Sequence, residues 1–255
     1  MTSLIPEGFT FATDTAAADW IVERLKPWGK NRVRLWSFMP DVFDRYARVF
    51  HPFHGPDTRR VRWSEIAGPG GAELSATTRA KDITGAPNGA GVWDHEPQEG
   101  TLHPEQLSAI RDALGPFTTT PQRCWLAVWV GWGSWRPGSR STLVAATDPR
   151  SLGAQRTRSE QPQPPDDAPQ IRTQHREYFL LESALELVPS FAIMGWEQAP
   201  SIWWPEDRAW CVVTEVDGYS TYVGGSERCI ETVVSSPSLE AVPVPSDAPM
   251  DPGPY

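Results

Sequence analysis

The stretch Ser201-Ile-Trp-Trp-Pro-Glu-Asp-Arg-Ala-Trp-Cys-Val-Val-Thr-Glu-Val-Asp217, followed by Ser220-Thr-Tyr-Val-Gly-Gly-Ser226, carries the most ordered local pattern in the chain. Positions 209–217 read as a strand. Alternation puts Ala209, Cys211, Val213, Glu215 and Asp217 on one face, and Trp210, Val212, Thr214 and Val216 on the other. A turn at Asp217-Gly218 leads into a second strand at 221–223. Gly224-Gly225-Ser226 ends that strand and opens a helix over 226–234, with Ser226 as its N-cap. Leu239-Glu-Ala-Val-Pro-Val reads as an edge strand, because proline removes a ladder donor.

The same reasoning extends upstream. Arg176-Glu-Tyr-Phe-Leu-Leu-Glu reads as a strand, followed by a helical run over 183–188 that Pro189 should stop. Residues 124–132 form a buried-type strand. Residues 101–115 give the cleanest helix, with Pro104 at N1, Glu105 at the positive helix start and Gly115 at C′. Residues 43–50 fit either a helix or a strand; the shortness of the run and its closure by His51-Pro-Phe-His54 favour a strand. Arg32-Val-Arg-Leu-Trp-Ser-Phe alternates like a half-buried strand, and 19–27 reads as a short helix capped by Asp19 and ended by Pro27. Residues 68–100 lack periodicity and read as a long loop. The fold class expected from this mixed order is α+β, with a mixed or mainly antiparallel sheet and a few short helices. The regular strand–helix alternation of a doubly wound sheet is missing.

One domain over 1–245 is expected, with two lobes (1–149 and 174–245) as the alternative. Residues 150–173 are Pro-rich and polar and read as a flexible excursion; 246–255 read as a disordered tail. The three cysteines, Cys124, Cys211 and Cys229, are scattered and form no Cys-x-x-Cys pair. That pattern fits a reducing compartment. With no apolar leader at the start and no long apolar run, the expected location is cytoplasmic, away from the membrane. Net charge is −9, balanced at +2 over 1–70 and −11 over the remainder. Such a chain is a poor general binder of nucleic acid.

Several groups could carry chemistry. Glu215 and Asp217, neighbours on one strand face, could hold a hard cation or share a proton; the plainer reading is a solvent-facing strand end. Gly224, Gly225 and Ser226 could cradle an anion on free backbone N–H groups, or form a tight turn with a serine cap. Tyr222 lies beside them. The loop Trp203-Trp204-Pro205-Glu206-Asp207-Arg208 could expose a tryptophan beside a cation for recognition. Alternatively, both rings cover the sheet edge while Asp207 and Arg208 pair. His51, His54 and the run Asp94-His95-Glu96 could converge on a metal, but nothing in their spacing brings them together. Ser134, in Gly-Trp-Gly-Ser-Trp, departs from the nucleophile-elbow pattern. Cys211 lies mid-strand and reads as core. Ser64-Glu-Ile-Ala opens like a DNA-binding helix but has no second helix after it. No cofactor or metal is assigned.

At the C-terminal motif, the chain resembles a large group of uncharacterised proteins from GC-rich actinobacteria. Tyr46-Ala-Arg-Val-Phe-His-Pro, Val61-Arg-Trp and Cys124-Trp-Leu-Ala-Val-Trp-Val-Gly-Trp-Gly look like further parts of that pattern. The resemblance implies no activity and no catalytic residue. The late strand–turn–strand–helix looks loosely like immunity-type binding proteins. The leading expectation is therefore a non-enzymatic, immunity- or adaptor-like protein that meets a protein partner on an aromatic, acidic surface. The alternative is a small-ligand enzyme or sensor, with its pocket near Glu215, Asp217 and 224–226.

Overall fold

The computed structural model describes residues 7–28, 33–54, 59–68, 73–84, 97–131, 164–165, 167–193 and 199–250. In chain order the elements are β1 (Phe9–Phe11), α1 (Asp19–Val22), β2 (Arg45–Phe50), β3 (Phe53–His54), β4 (Arg60–Val61), α2 (Trp63–Ala67), α3 (Ala80–Thr84), α4 (Pro104–Leu114), β5 (Cys124–Trp129), β6 (Gln170–Arg172), β7 (Glu177–Ser183), α5 (Val188–Ile193), β8 (Ile202–Pro205), β9 (Trp210–Thr214), β10 (Ser220–Gly225), α6 (Glu227–Val234) and β11 (Ala241–Val244).

Among the described residues, nine strands form one sheet in the order β1-β7-β5-β8-β9-β10-β2-β11, with β6 also on β7. Every pairing in it is antiparallel. β1 and β6 share the outer edge of β7 end to end, facing residues 181–183 and 177–179. Strands drawn from 1–149 and from 174–245 interleave in this sheet, so a division into those two lobes does not describe it. The fold is α+β, with a mainly antiparallel sheet and short helices.

Both faces of the sheet are covered. On one, Trp203, Trp210, Val212 and Val223 pack beneath α4, α5 and α6 through Leu107, Ile110, Phe191 and Val233. On the other, Trp204, Cys211, Val213 and Tyr222 pack beneath the N-terminal segment through Trp20, Ile21, Leu35 and Met39. Of the alternation predicted for 209–217, the part over 210–213 is observed, with a core on each face; Ala209 packs on the Trp210 side instead, and the strand ends at Thr214. A sheet buried on both sides leaves no polar face.

Trp203, Trp204 and Pro205, expected in a loop over 203–208, lie in β8, where the double cover buries both rings. Arg34 makes only an isolated bridge to Pro249, and Leu35–Ser37 is a 3₁₀ turn rather than a strand. Pro249 has no N–H, so the ladder cannot extend there. The residues opposite it belong to the expected tail: Leu35 N–H donates to Ala248 O and Met250 N–H to Val33 O, with Ala248 and Met250 buried. The stretch up to Met250 is therefore packed, and 251–255 lie outside the described residues.

Pro189 sits in the first turn of α5, where its missing N–H has no intrahelical use, so it starts a helix instead of stopping one. Gly115 keeps right-handed helical angles and leads into a 3₁₀ turn through Phe117, so it is not a left-handed C′. Asp19 lies inside α1, whose N-cap is Ala18. The long loop at 68–100 contains α3, preceded by Arg79 N–H donating to Asp82 Oδ2. Within 150–173, residues 170–172 form β6 because the β7 edge supplies ladder partners and buries Ile171.

The expected helix after β10 is observed as α6. Ser226 caps it, its hydroxyl accepting from Cys229 N–H at 3.3 Å. Ser226→Ala is expected to cost about 1 kcal/mol in urea denaturation. A loss several times larger would mean that Ser226 does more than cap.

Candidate functional site

The residues singled out in the sequence separate into structural groups and one cleft. Glu215 and Asp217 do converge, but on a cation of the chain itself. Arg176 Nη2 donates to Glu215 Oε1 and, at 2.6 Å, to Asp217 Oδ2, while its guanidinium lies 5.4 Å from the centre of the Trp129 ring. Burial pushes the Glu215 carboxyl up, and Arg176 only partly pulls it back. Burial alone would lower Arg176, but the Glu215 and Asp217 carboxylates overturn this and raise it. The cluster ties the turn before β7 to the turn after β9.

Gly224 and Gly225 do not form a cradle with that pair. They lie within β10, paired to Tyr46 and Arg45 of β2 on one side and to Cys211 and Trp210 of β9 on the other. Roughly 17 Å of strand separates them from the carboxylate end of the β9–β10 hairpin. A Cβ on Gly224 would lie 2.4 Å from the Phe43 ring, and one on Gly225 2.9 Å from Cys229 Sγ. The glycines are there for close packing, and the pocket expected between Glu215, Asp217 and 224–226 is not formed. Tyr222 is buried in the second core.

Trp203 and Trp204 are both buried, at 0% and 1% exposure, so the pair offers no recognition surface. Adjacent strand residues point to opposite faces, and here both faces are core. Asp207 and Arg208 do not pair with each other. Asp207 accepts from the Thr119 amide and hydroxyl, the Thr118 hydroxyl and the Ala209 amide. Burial would raise its carboxyl, but these hydrogen bonds prevail and hold it below the ordinary value.

Arg208 behaves differently. It is the one non-glycine among the described residues with a positive φ, 57°. Its N–H donates to Pro205 O at 2.9 Å, closing the turn between β8 and β9. A left-handed residue after such a turn keeps the two strands in twist, and glycine is the usual choice. Here an arginine holds the position, at a backbone cost of about 1–2 kcal/mol. Its guanidinium sits 5.5 Å from the centre of the Trp20 ring, and it makes no ion pair among the described residues.

Arg208 and Trp204 line a cleft of about 370 Å³. Its base is a row of cross-strand partners, Thr10, Glu182, Trp125 and Trp204, on the adjacent strands β1, β7, β5 and β8. The segment after β1, including Asp14 and Ala17, forms one wall; Glu206 and Arg208 come from the β8–β9 turn. Arg123 pairs with Glu182 at 3.0 Å and Glu206 at 3.7 Å, and its guanidinium is 4.7 Å from the Trp125 ring centre. Trp125 Nε1–H donates to Glu206 Oε2. Asp14 Oδ1 accepts from Ala16 N–H. Thus the cleft combines apolar rings with three carboxylates and two guanidinium groups.

Sequence reasoning missed Arg123, Glu182 and Asp14. They are far apart in the chain, and their one local signal is weak: Arg123-Cys-Trp125 places a cation at the mouth of a strand. Of the residues weighed as metal ligands, His51 is buried, His54 is exposed at the end of β3, and 94–96 lie outside the described residues. Among the described residues, no three His, Cys, Asp or Glu side chains gather as a metal site. Ser134 also lies outside them. Ser64-Glu-Ile-Ala lies in α2, whose first amides at Trp63 and Ser64 donate to the Glu240 carboxylate. All three thiols are buried, and burial pushes Cys124 and Cys229 up to about 12 and Cys211 up as well. No helix among the described residues is long and apolar enough to cross a membrane. No protein-family model, curated protein or solved structure matches the chain.

Proposed function

We propose that this chain is a binding protein that takes a small ligand in the cleft between β1 and the β8–β9 turn. The observation that carries this reading is Arg208. A cation with no carboxylate partner among the described residues is held there in a left-handed conformation, at the edge of a cleft within the size range of small-molecule sites. Backbone strain of this kind persists where the side chain has a use. Arg208→Gly separates fold from function. Relief of the left-handed backbone offsets the lost Trp20 contact, worth about 0.5–1 kcal/mol. The variant should therefore stay within about 1 kcal/mol of the parent in urea denaturation. Ligands that raise the parent's melting temperature should lose their effect on it. Unchanged ligand response in Arg208→Gly would overturn the assignment of the site.

An immunity- or adaptor-like role with a protein partner is the second reading. It is supported by the exposure of Asp14, Arg123, Glu206 and Arg208 around the cleft, which leaves them within reach of a partner's side chain. Pull-down with parent and Arg208→Gly baits tests it. A partner retained equally by both, or by neither, counts against recognition through this cleft.

A further inference from the structure

The charge arrangement of the cleft points to the chemistry of its occupant. Resting on the small-ligand reading above, we infer that the ligand is a small zwitterion with an apolar side group, of the class of a free aromatic or aliphatic α-amino acid. Among the described residues, Glu182 and Glu206 share a single cation, Arg123. That cluster has one negative charge too many. Asp14 adds another carboxylate and makes no ion pair among the described residues, although Oδ1 is engaged by the Ala16 amide. Arg208 is the cleft's cation that has no carboxylate partner among the described residues.

A purely anionic ligand would satisfy Arg208 but lie against the surplus of Asp14, Glu182 and Glu206. A purely cationic ligand would do the reverse. A molecule carrying both charges a few bonds apart answers both, its carboxylate to Arg208 and its ammonium group to Glu206 and Asp14. The apolar side group would meet Phe11 and Trp125, which also line the cleft. Charge pairs against such a wall are less screened than on open surface.

The test uses the full chain and four probe sets: the twenty standard amino acids, their N-acetyl derivatives, their amides, and aromatic acids and amines that carry only one charge. Melting temperature gives the screen, and calorimetric titration gives affinities for the hits. At least one free amino acid should bind, with its N-acetyl derivative and its amide each at least tenfold weaker. Arg208→Gln should weaken the free amino acid tenfold or more while leaving its amide unaffected. Glu206→Gln should weaken the free amino acid while leaving the N-acetyl derivative unaffected. Equal binding of an amino acid and its N-acetyl form overturns the zwitterion inference but keeps the small-ligand reading. Equal binding of an amino acid and its amide does the same. No binding by any of the twenty overturns the inference. If aromatic acids and amines without the second charge also fail to bind, the small-ligand reading fails with it.

Discussion

Arg176→Met is expected to lower the unfolding free energy by about 3–5 kcal/mol, the usual consequence of removing one member of a buried ion cluster. Glu215 is 7% exposed, and Arg176 is the cation that meets it. Methionine fills the same space over Trp129 but leaves two carboxylates side by side in the turn after β9. Asp217 is half-exposed and regains water; Glu215 does not. The deficit should also depend on pH. Burial already raises the Glu215 carboxyl in the parent, and without Arg176 only the Asp217 backbone amide opposes that rise. A carboxyl with a higher pKa folded than unfolded favours the protonated native state. Its contribution is fully present below the unfolded value of 4.5 and is lost as pH climbs through the folded one. The loss in Arg176→Met should therefore be largest at neutral pH and shrink toward pH 4.5. Adding Glu215→Gln and Asp217→Asn should restore most of the stability, because the buried charge is gone. Urea denaturation of the single and triple variants decides the matter: a single variant within 1 kcal/mol of the parent at pH 7 would mean that the cluster is not worth its geometry.

The C-terminal third was legible because its information is local. Alternation through Trp210, Cys211, Val212 and Val213 sorts residues to the correct faces without any knowledge of neighbours. Ser226 caps a helix because serine three residues ahead of a free amide does so in most contexts. Where the reading failed, the missing information was tertiary. Nothing in Trp203-Trp204 tells a strand between two cores from a loop with one ring in solvent; the N-terminal segment and α4 to α6 decide that from elsewhere in the chain. Arg32 to Phe38 has a strand period, yet over its described part, 33–38, the pairing with the tail is a single bridge interrupted at Pro249.

The candidate site divides in the same way. Arg208 and Trp204 were visible as an aromatic–cation pair, although for a surface they do not form. The carboxylates that complete the cleft come from residues 14, 182 and 206, and only the register of β1, β7, β5 and β8 brings them together. Glu215 and Asp217 were expected on one face of a strand reaching 217; β9 ends at Thr214, and the two carboxylates meet on Arg176 from the turn that follows. Their partner could not be read, because Arg176 lies on a different turn and any of many arginines could have answered them. The physical lesson is that a pair of carboxylates in sequence defines a demand for positive charge, while the fold decides whether a metal, a ligand or an arginine meets it.

Lowering the pH from 6.5 to 4 should remove about 3 kcal/mol of stability through His51 alone. The ring, one residue past β2, is fully buried between β10 and the segment before α4. Nδ1 lies 2.6 Å from Gln98 O, an acceptor only, so Nδ1 carries the proton. Nε2, 2.9 Å from Thr221 Oγ1, then accepts from that hydroxyl, which in turn lies 2.7 Å from Thr214 Oγ1. The chain of donors fits a neutral imidazole. Burial depresses the ring to about 4, the Gln98 carbonyl pulls it back up, and the nearby Arg48 guanidinium adds to the depression. A group with a lower pKa folded than unfolded stabilises the native state above the unfolded value of 6.5, and the benefit disappears as pH falls through the folded one. Between pH 6.5 and 5 most carboxylates are still ionised, which makes this window the cleanest one for His51. His51→Asn keeps a donor near Gln98 O but cannot titrate. It should be less stable at pH 7, with a flatter slope of unfolding free energy against pH down to 5. Parallel slopes for parent and variant would show that His51 is not the group that titrates, and would leave the half-buried His103, lowered by burial and by Arg60, as the next histidine to replace.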